Sequence, residues 1–118
     1  MRRPTKGQIR NAQAAYMAEK AAYDAANEAV NREAPEPKLD CPKAEEDAWL
    51  ARYEKAAEKH RLTALRDALK KVEDDLAEIG LEYARPDLPA DAYEALKQWR
   101  KQPPIRDKLV SLTFRLVV

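Results

Sequence analysis

The sequence of 118 residues contains little glycine, serine or cysteine, and each scarcity excludes a class of structure or chemistry. Two glycines, Gly7 and Gly80, are too few for flexible linkers or for a turn-rich all-β architecture. Neither glycine lies in a phosphate-binding loop motif, so nucleotide hydrolysis is not indicated. The single cysteine, Cys41, excludes an internal disulfide and is typical of a reducing compartment, and we therefore predict a cytoplasmic location.

Residues suited to catalysis or metal binding are also scarce. His60 is the single histidine, and the sequence places no obvious catalytic neighbour beside it, so we interpret it as a helix-surface or interface residue. Zinc sites need paired Cys and His ligands, which one cysteine and one distant histidine do not supply. The acids that begin the second predicted helix are more simply explained by the helix dipole than by a metal. We therefore predict that the protein is not an enzyme and binds no cofactor or metal.

Long apolar runs and a large net charge are absent as well. The basic N-terminus is not followed by the apolar segment of a signal peptide, and no stretch approaches the roughly 20 apolar residues of a membrane span. We therefore predict no membrane association. A formal net charge of +1 argues against a uniformly basic nucleic-acid-binding protein.

Alanine and leucine are abundant, and the larger apolar residues recur alternately three and four residues apart, as in a heptad repeat. This spacing predicts a first helix from Thr5, as N-cap, to Glu33, before the proline-rich residues 34–42. A second helix should run from about residue 43 to residue 79, where Gly80 would end it in the left-handed conformation. The apolar positions of the two helices form a predicted scaffold seam: Ile9, Tyr16, Tyr23, Val30, Leu62, Leu65, Leu69, Val72, Leu76 and Ile79.

Residues 1–80 are thus predicted to form a long antiparallel helical hairpin that resembles a coiled coil. In the first half of the second helix, Trp49 and Tyr53 lie about 160° from the leucine side of an ideal helix. Two such faces imply either two separate contacts or a kink near His60. Both interpretations are left open by the sequence.

Residues 81–118 should add a short third helix at about 89–101 and a C-terminal β-strand, within the same domain. The strand is predicted from the alternation of apolar and mixed residues over 109–118. Because a lone strand leaves its backbone groups unpaired, it needs a partner. That partner is residues 81–85, a second copy of the chain, or another protein. The predicted fold class is therefore mainly α, with a hairpin, a third helix and one terminal strand.

Two sets of residues are candidates for binding. Off-seam aromatic residues and the apolar face of the strand form the predicted partner interface: Trp49, Tyr53, Trp99, Val110, Leu112, Phe114 and Leu116. Both termini are basic, whereas residues 34–47 are acidic, so a hairpin would bring both termini to one basic end. The possible anion contacts there are Arg2, Arg3, Lys6, Arg10, Arg100 and Lys101.

These features predict a non-enzymatic helical adaptor or structural protein that acts through protein-protein contacts. It would assemble as a homo-oligomer, or bind another protein through the C-terminal strand. Small, charged, alanine-rich chains are common among phage and mobile-element proteins, which suggests a virion component or an inhibitor of a host system. If the chain is phage-encoded, we predict a virion-associated location instead of a cytoplasmic one. The alternative is a small nucleic-acid-binding regulator that uses the basic end, although no helix-turn-helix or aromatic platform is evident.

Overall fold

The computed structural model describes residues 3–116, which are mainly helical and contain no β-strand. The described helices are α1 (Lys6–Glu33), α2 (Lys43–Lys59), α3 (Leu62–Ala84), α4 (Ala90–Trp99) and α5 (Pro103–Leu116), with a 3₁₀ turn at Arg85–Asp87. The chain divides into two compact units. Unit 1 comprises Met1–Ala18 and Leu69–Val118, and unit 2 comprises Glu19–Ala68.

The first helix has the predicted bounds. Thr5 caps it through a capping box, in which the Gln8 backbone N–H donates to Thr5 Oγ1 at 3.1 Å. The Thr5 backbone N–H in turn donates to Gln8 Oε1 at 2.8 Å. At the other end the helix stops at Glu33, where Ala34 precedes Pro35. The prediction for this helix is confirmed, because both of its ends are determined by neighbouring residues in the sequence.

The predicted second helix is two helices, and the predicted hairpin is wrong in this respect. α2 ends at Lys59 and α3 begins at Leu62. Between them, Arg61 has a φ of 54°, in the left-handed region that a non-glycine residue adopts at a cost of roughly 1–2 kcal/mol. Such a residue interrupts a right-handed helix. Trp49 and Tyr53 left open two separate contacts or a kink near His60. The helix is interrupted at the place given for the kink.

Gly80 does not end a helix, contrary to prediction. It lies inside α3, which continues to Ala84, and its φ is not positive. A Cβ atom at this position would lie 2.9 Å from Thr113 Cγ2 and 3.0 Å from the Leu109 carbonyl oxygen. Glycine is therefore required here because α5 approaches the backbone of α3 closely.

The predicted C-terminal strand is also wrong, because residues 103–116 form α5. Leu109, Val110 and Thr113 are buried, and this spacing places them on one helix face. A helix satisfies its backbone hydrogen bonds internally, whereas residues 3–116 offer no strand that could pair with one here. Residues 81–85, the internal candidate for its partner, are not a strand either, since they end α3 and begin the 3₁₀ turn. Val117 and Val118 lie outside the described residues.

Unit 1 has a core built from α3, α4 and α5. Its buried members are Leu76, Ala77, Leu81, Tyr93, Leu109 and Val110. Polar contacts also fix α5 in place. The Gln13 side-chain amide donates to the Thr113 carbonyl oxygen at 2.9 Å. The guanidinium of Arg106 lies 3.2 Å from the carboxylate of Glu73 and 3.6 Å from that of Asp74.

Unit 2 has a smaller core, formed by Ala26, Val30, Ala56 and Leu62. The Trp49 indole N–H donates to the Ala34 carbonyl oxygen at 3.0 Å, which ties α2 to the end of α1. Glu33 is paired with Lys59 at 2.7 Å and also with His60. The hydrogen bonds from Lys59 and then from His60 favour the ionised carboxylate, and they hold the pKa of Glu33 below its ordinary value of 4.5.

Candidate functional site

An open groove of about 710 Å³ lies in unit 1 between the first part of α1 and the face of α3. Its apolar floor comes from small or half-buried side chains of both helices. These are Ala12, Ala15, Val72 and Ile79. Val72 and Ile79 belong to the heptad pattern of α3, in which the intervening Leu76 is fully buried. Within the described part of unit 1, part of the apolar face of α3 therefore remains open along this groove.

One wall of the groove is acidic. Asp75, Glu78 and Glu82 follow one another along α3 three and four residues apart, and so extend over roughly 10 Å of the helix. Asp75 and Glu78 are exposed and make no ion pair within the described part of the chain. Their charges therefore face solvent along the groove.

Glu82 differs from the other two acids because it is held within the fold. It accepts a hydrogen bond from the Tyr93 hydroxyl and lies 3.6 Å from the guanidinium of Arg85. The bond to Glu82 stabilises the neutral phenol, so the pKa of Tyr93 is raised above its ordinary value of 10.0. This contact connects α3 to α4 at one end of the groove.

The opposite wall, on α1, is neutral and polar, with Gln8 and Asn11 lining it. An apolar floor between one acidic and one neutral wall suits a helix with an apolar face and Lys or Arg along one edge. The three carboxylates lie in a row and do not converge. Within residues 3–116 there is no group of three or more His, Cys, Asp or Glu side chains placed to hold a metal ion.

The structure distributes the predicted scaffold seam over both units. Ile9, Leu69 and Leu76 are buried in unit 1, and Val30 and Leu62 are buried in unit 2. The remaining members are half-buried: Tyr16, Tyr23, Leu65, Val72 and Ile79. The seam therefore includes two core regions and the floor of the groove.

The predicted partner-interface residues belong to both units. Trp49 and Tyr53 contact each other in unit 2, with ring centroids 5.7 Å apart. Val110 is buried in the unit 1 core, and Leu112 is half-buried. Phe114 is partly exposed beside Tyr16, at a centroid distance of 5.9 Å, and Trp99 is 45% exposed. The side chain of Leu116 lies outside the described residues.

The predicted anion contacts differ in their surroundings. Arg3 donates to the Tyr83 carbonyl oxygen at 2.8 Å and to Asp87 at 3.2 Å, so it is engaged within unit 1. Arg2 lies outside the described residues. Lys6 and Arg10 are exposed on α1. At the end of α4, Arg100 and Lys101 line a shallow depression together with three other side chains: Glu94, Lys97 and Gln98.

The remaining candidates are placed as follows. Cys41 is a free, half-buried thiol in the segment between α1 and α2, and His60 contacts Glu33. Among the described residues, no helix has the length and apolar character needed to cross a membrane.

Sequence reasoning missed the acidic wall of the groove. The available signal was the repetition of Asp75, Glu78 and Glu82 directly beside the seam positions Val72 and Ile79. Acids next to a seam are normally a solvated helix face. These three acids form one wall of a groove because α1 packs beside α3 and supplies the opposite wall.

Comparison with known proteins gives no further guide: the chain matches no protein-family model, no curated protein and no solved structure.

Proposed function

We propose that this protein is a non-enzymatic helical adaptor that binds an amphipathic helix of another polypeptide in the groove between α1 and α3. The observation that supports this most directly is the combination of an apolar floor with unpaired Asp75 and Glu78 on one wall. The bound helix would place apolar side chains on the floor and Lys or Arg along the acidic wall.

The two parts of the groove would contribute differently to binding. Burial of the floor supplies affinity, at about 25 cal/mol for each Å² of apolar surface removed from water. The carboxylates supply specificity and orientation, because they favour a basic edge and repel an acidic one. Their spacing along α3 matches cations placed at positions i, i+3 and i+7 of a helix packed alongside.

The alternative of nucleic-acid binding has less support. Arg3, one of the proposed phosphate contacts, already binds Tyr83 and Asp87. The open groove of unit 1 is acidic and would repel phosphates. Lys6 and Arg10 remain exposed on α1, but none of the aromatic contacts found within residues 3–116 involves either of them.

The proposal is tested with two synthetic helical peptides that share one apolar face and carry either lysine or glutamate along one edge. Binding of each labelled peptide to dilute protein is measured by fluorescence anisotropy. The wild-type protein should prefer the lysine peptide, and D75K/E78K should bind it at least about tenfold more weakly. The double variant should instead favour the glutamate peptide.

A matched control variant, E28K/D67K, makes the same change in net charge at exposed positions of unit 2. It should bind the lysine peptide as the wild-type protein does. Equal wild-type affinity for the two peptides, or no loss in D75K/E78K, would contradict the proposal. Salt-sensitive binding of duplex DNA without binding of either peptide would favour the nucleic-acid alternative instead.

A further inference from the structure

One face of α1 is fixed to α5, a helix that forms neither wall of the groove. Ile9, Gln13 and Tyr16 recur at helical spacing on that face, and Ile9 and Gln13 are buried. The Gln13 side-chain amide donates to the Thr113 carbonyl oxygen at 2.9 Å. The Tyr16 ring lies beside that of Phe114, at a centroid distance of 5.9 Å. These residues are not among those that line the groove.

Thr113 of α5 contacts both helices whose faces form the groove walls. It is fully buried, and its hydroxyl donates to the Val110 carbonyl oxygen within α5 at 2.6 Å. Its own carbonyl accepts the hydrogen bond from Gln13 of α1. Its methyl group faces Gly80 of α3, where an added Cβ atom would lie 2.9 Å away. α1 and α3 are therefore both held against the same residue.

The hydrogen bond from Gln13 constrains the position of α1 more narrowly than apolar packing does. A hydrogen bond needs a donor–acceptor distance of about 2.9 Å and a near-linear geometry, whereas apolar contact is not directional. Gln13 is only 9% exposed, so breaking the bond would leave buried polar atoms unpaired. The bond therefore holds α1 at one distance from α5 and, through the contact of Thr113 with Gly80, at one distance from α3.

We propose that Gln13 is a positioning residue for the groove, and that its bond to α5 sets the separation of the α1 and α3 walls. The inference rests on the proposed function, because peptide binding is one of its readouts. A displaced α1 would withdraw Ala12 and Ala15 from a bound helix. Asp75 and Glu78 would stay in place, because they lie on α3. Loss of the bond should therefore lower the affinity for a peptide without changing the charge preference.

The first test compares Gln13→Met with Gln98→Met, a control at an exposed position of α4. Methionine keeps the length of the side chain but cannot donate to the Thr113 carbonyl oxygen. Gln13→Met should bind both the lysine and the glutamate peptide at least about fivefold more weakly than the wild-type protein does. The preference for the lysine peptide should remain, whereas D75K/E78K reverses it. Gln98→Met should bind both peptides as the wild-type protein does.

Gln13→Glu is a second variant, which keeps the shape of the side chain. Its carboxylate cannot donate a hydrogen bond at neutral pH, but the protonated carboxyl group can donate to the Thr113 carbonyl oxygen. Its affinity for the lysine peptide, divided by that of the wild-type protein at the same pH, should therefore rise toward one as the pH is lowered. The division removes the titration of Asp75 and Glu78, which both proteins share. A ratio that does not change with pH would contradict the role of the donated bond.

The separation of the walls is measured directly, without any peptide, as the distance between two spin labels. The labels are attached to R10C/K70C in a C41S background, at exposed positions of α1 and α3 outside the groove. Electron paramagnetic resonance should give one narrow distance distribution. Adding Gln13→Met should shift or broaden it, and adding Gln98→Met should not.

The outcomes separate this inference from the proposed function. An unchanged distance distribution in Gln13→Met, or wild-type affinity of Gln13→Met for the lysine peptide, would overturn the positioning role alone. A shifted distribution in Gln13→Met, when the wild-type protein binds neither peptide, would overturn the proposed function and support the control of the wall separation by Gln13.

Discussion

Unit 1 and unit 2 are both helical, but each is stabilised internally by a different kind of contact. Unit 1 buries large side chains such as Leu76 and Leu81, and α5 packs so closely that only a glycine fits at position 80. Unit 2 buries mainly alanine, valine and one leucine, and it adds hydrogen bonds and ion pairs around Glu33 and Trp49. Tight packing fixes the helix positions of unit 1, which is what a preformed binding groove requires. The polar contacts of unit 2 depend more on pH and salt.

The largest effect should come from placing a charge in the unit 1 core. Leu76 is fully buried, so Leu76→Asp should cost more than about 4 kcal/mol of unfolding free energy and leave unit 1 unfolded. The matched control is Leu50→Asp on the exposed face of α2, which should change stability by less than about 0.5 kcal/mol. Urea unfolding followed by circular dichroism measures the unfolding free energy of both variants. Similar losses in the two variants would contradict the claim that the stability of unit 1 depends on its packed core.

A pair of glycine substitutions tests the close approach of α5 to α3. Gly80→Ala should destabilise the protein by about 1–3 kcal/mol, since the added methyl overlaps Thr113 and the backbone of Leu109. A Cβ atom at Gly7, in the first turn of α1, would lie 3.8 Å from Thr5 Oγ1, an ordinary contact, so Gly7→Ala should stabilise the helix by up to about 1 kcal/mol. Thermal unfolding distinguishes the two. Stabilisation by Gly80→Ala would show that α5 does not pack as closely as described.

The break between α2 and α3 gives a smaller effect of the opposite sign. Arg61 is a non-glycine residue in the left-handed conformation, so Arg61→Gly should stabilise unit 2 by about 1 kcal/mol. Arg66→Gly, at an exposed position inside α3, should instead destabilise it by about 0.5–1 kcal/mol. Urea unfolding measures both changes. Destabilisation by both substitutions would argue for a continuous helix through residues 59–62.

The smallest effect concerns the pH dependence of unit 2. Because the pKa of Glu33 is lowered in the folded protein, its pairing stabilises the fold above pH 4.5 and is lost as the pH falls through the lowered pKa. Glu33→Gln should therefore lower the melting temperature slightly at neutral pH, and the difference from the wild-type protein should vanish in acid. Glu54→Gln, exposed on α2, should show no such pH-dependent difference. A difference that persists unchanged in acid would contradict the pairing.

The comparison of the two units also explains which features could be predicted from the sequence. The ends of α1 depend on Thr5, Gln8 and Pro35, which lie next to the residues they affect, so local patterns sufficed. Gly80 was misinterpreted because its role depends on Leu109 and Thr113, about 30 residues away. The alternation over 109–118 predicted a strand, although Leu109, Val110 and Thr113 also fit a helix face. The helix prevails because residues 3–116 contain no strand with which this segment could pair.

The candidate site could be predicted only in part. The heptad spacing identified Val72 and Ile79 as apolar positions of α3, and both line the groove. The sequence could not show that they remain partly uncovered, because exposure depends on how α1 and α5 pack around α3. For the same reason, the sequence could not show that Asp75 and Glu78 line one wall of the groove.

The central claim is that the α1–α3 groove is the binding surface, and residue-level NMR tests it most directly. The lysine peptide is titrated into the ¹⁵N-labelled wild-type protein. The account predicts the largest amide shifts in the residues that line the groove, such as Asn11, Ala15 and Ile79, with little change at Val30 and Ala56. Shifts concentrated in unit 2 or along α5, with the groove unaffected, would contradict it.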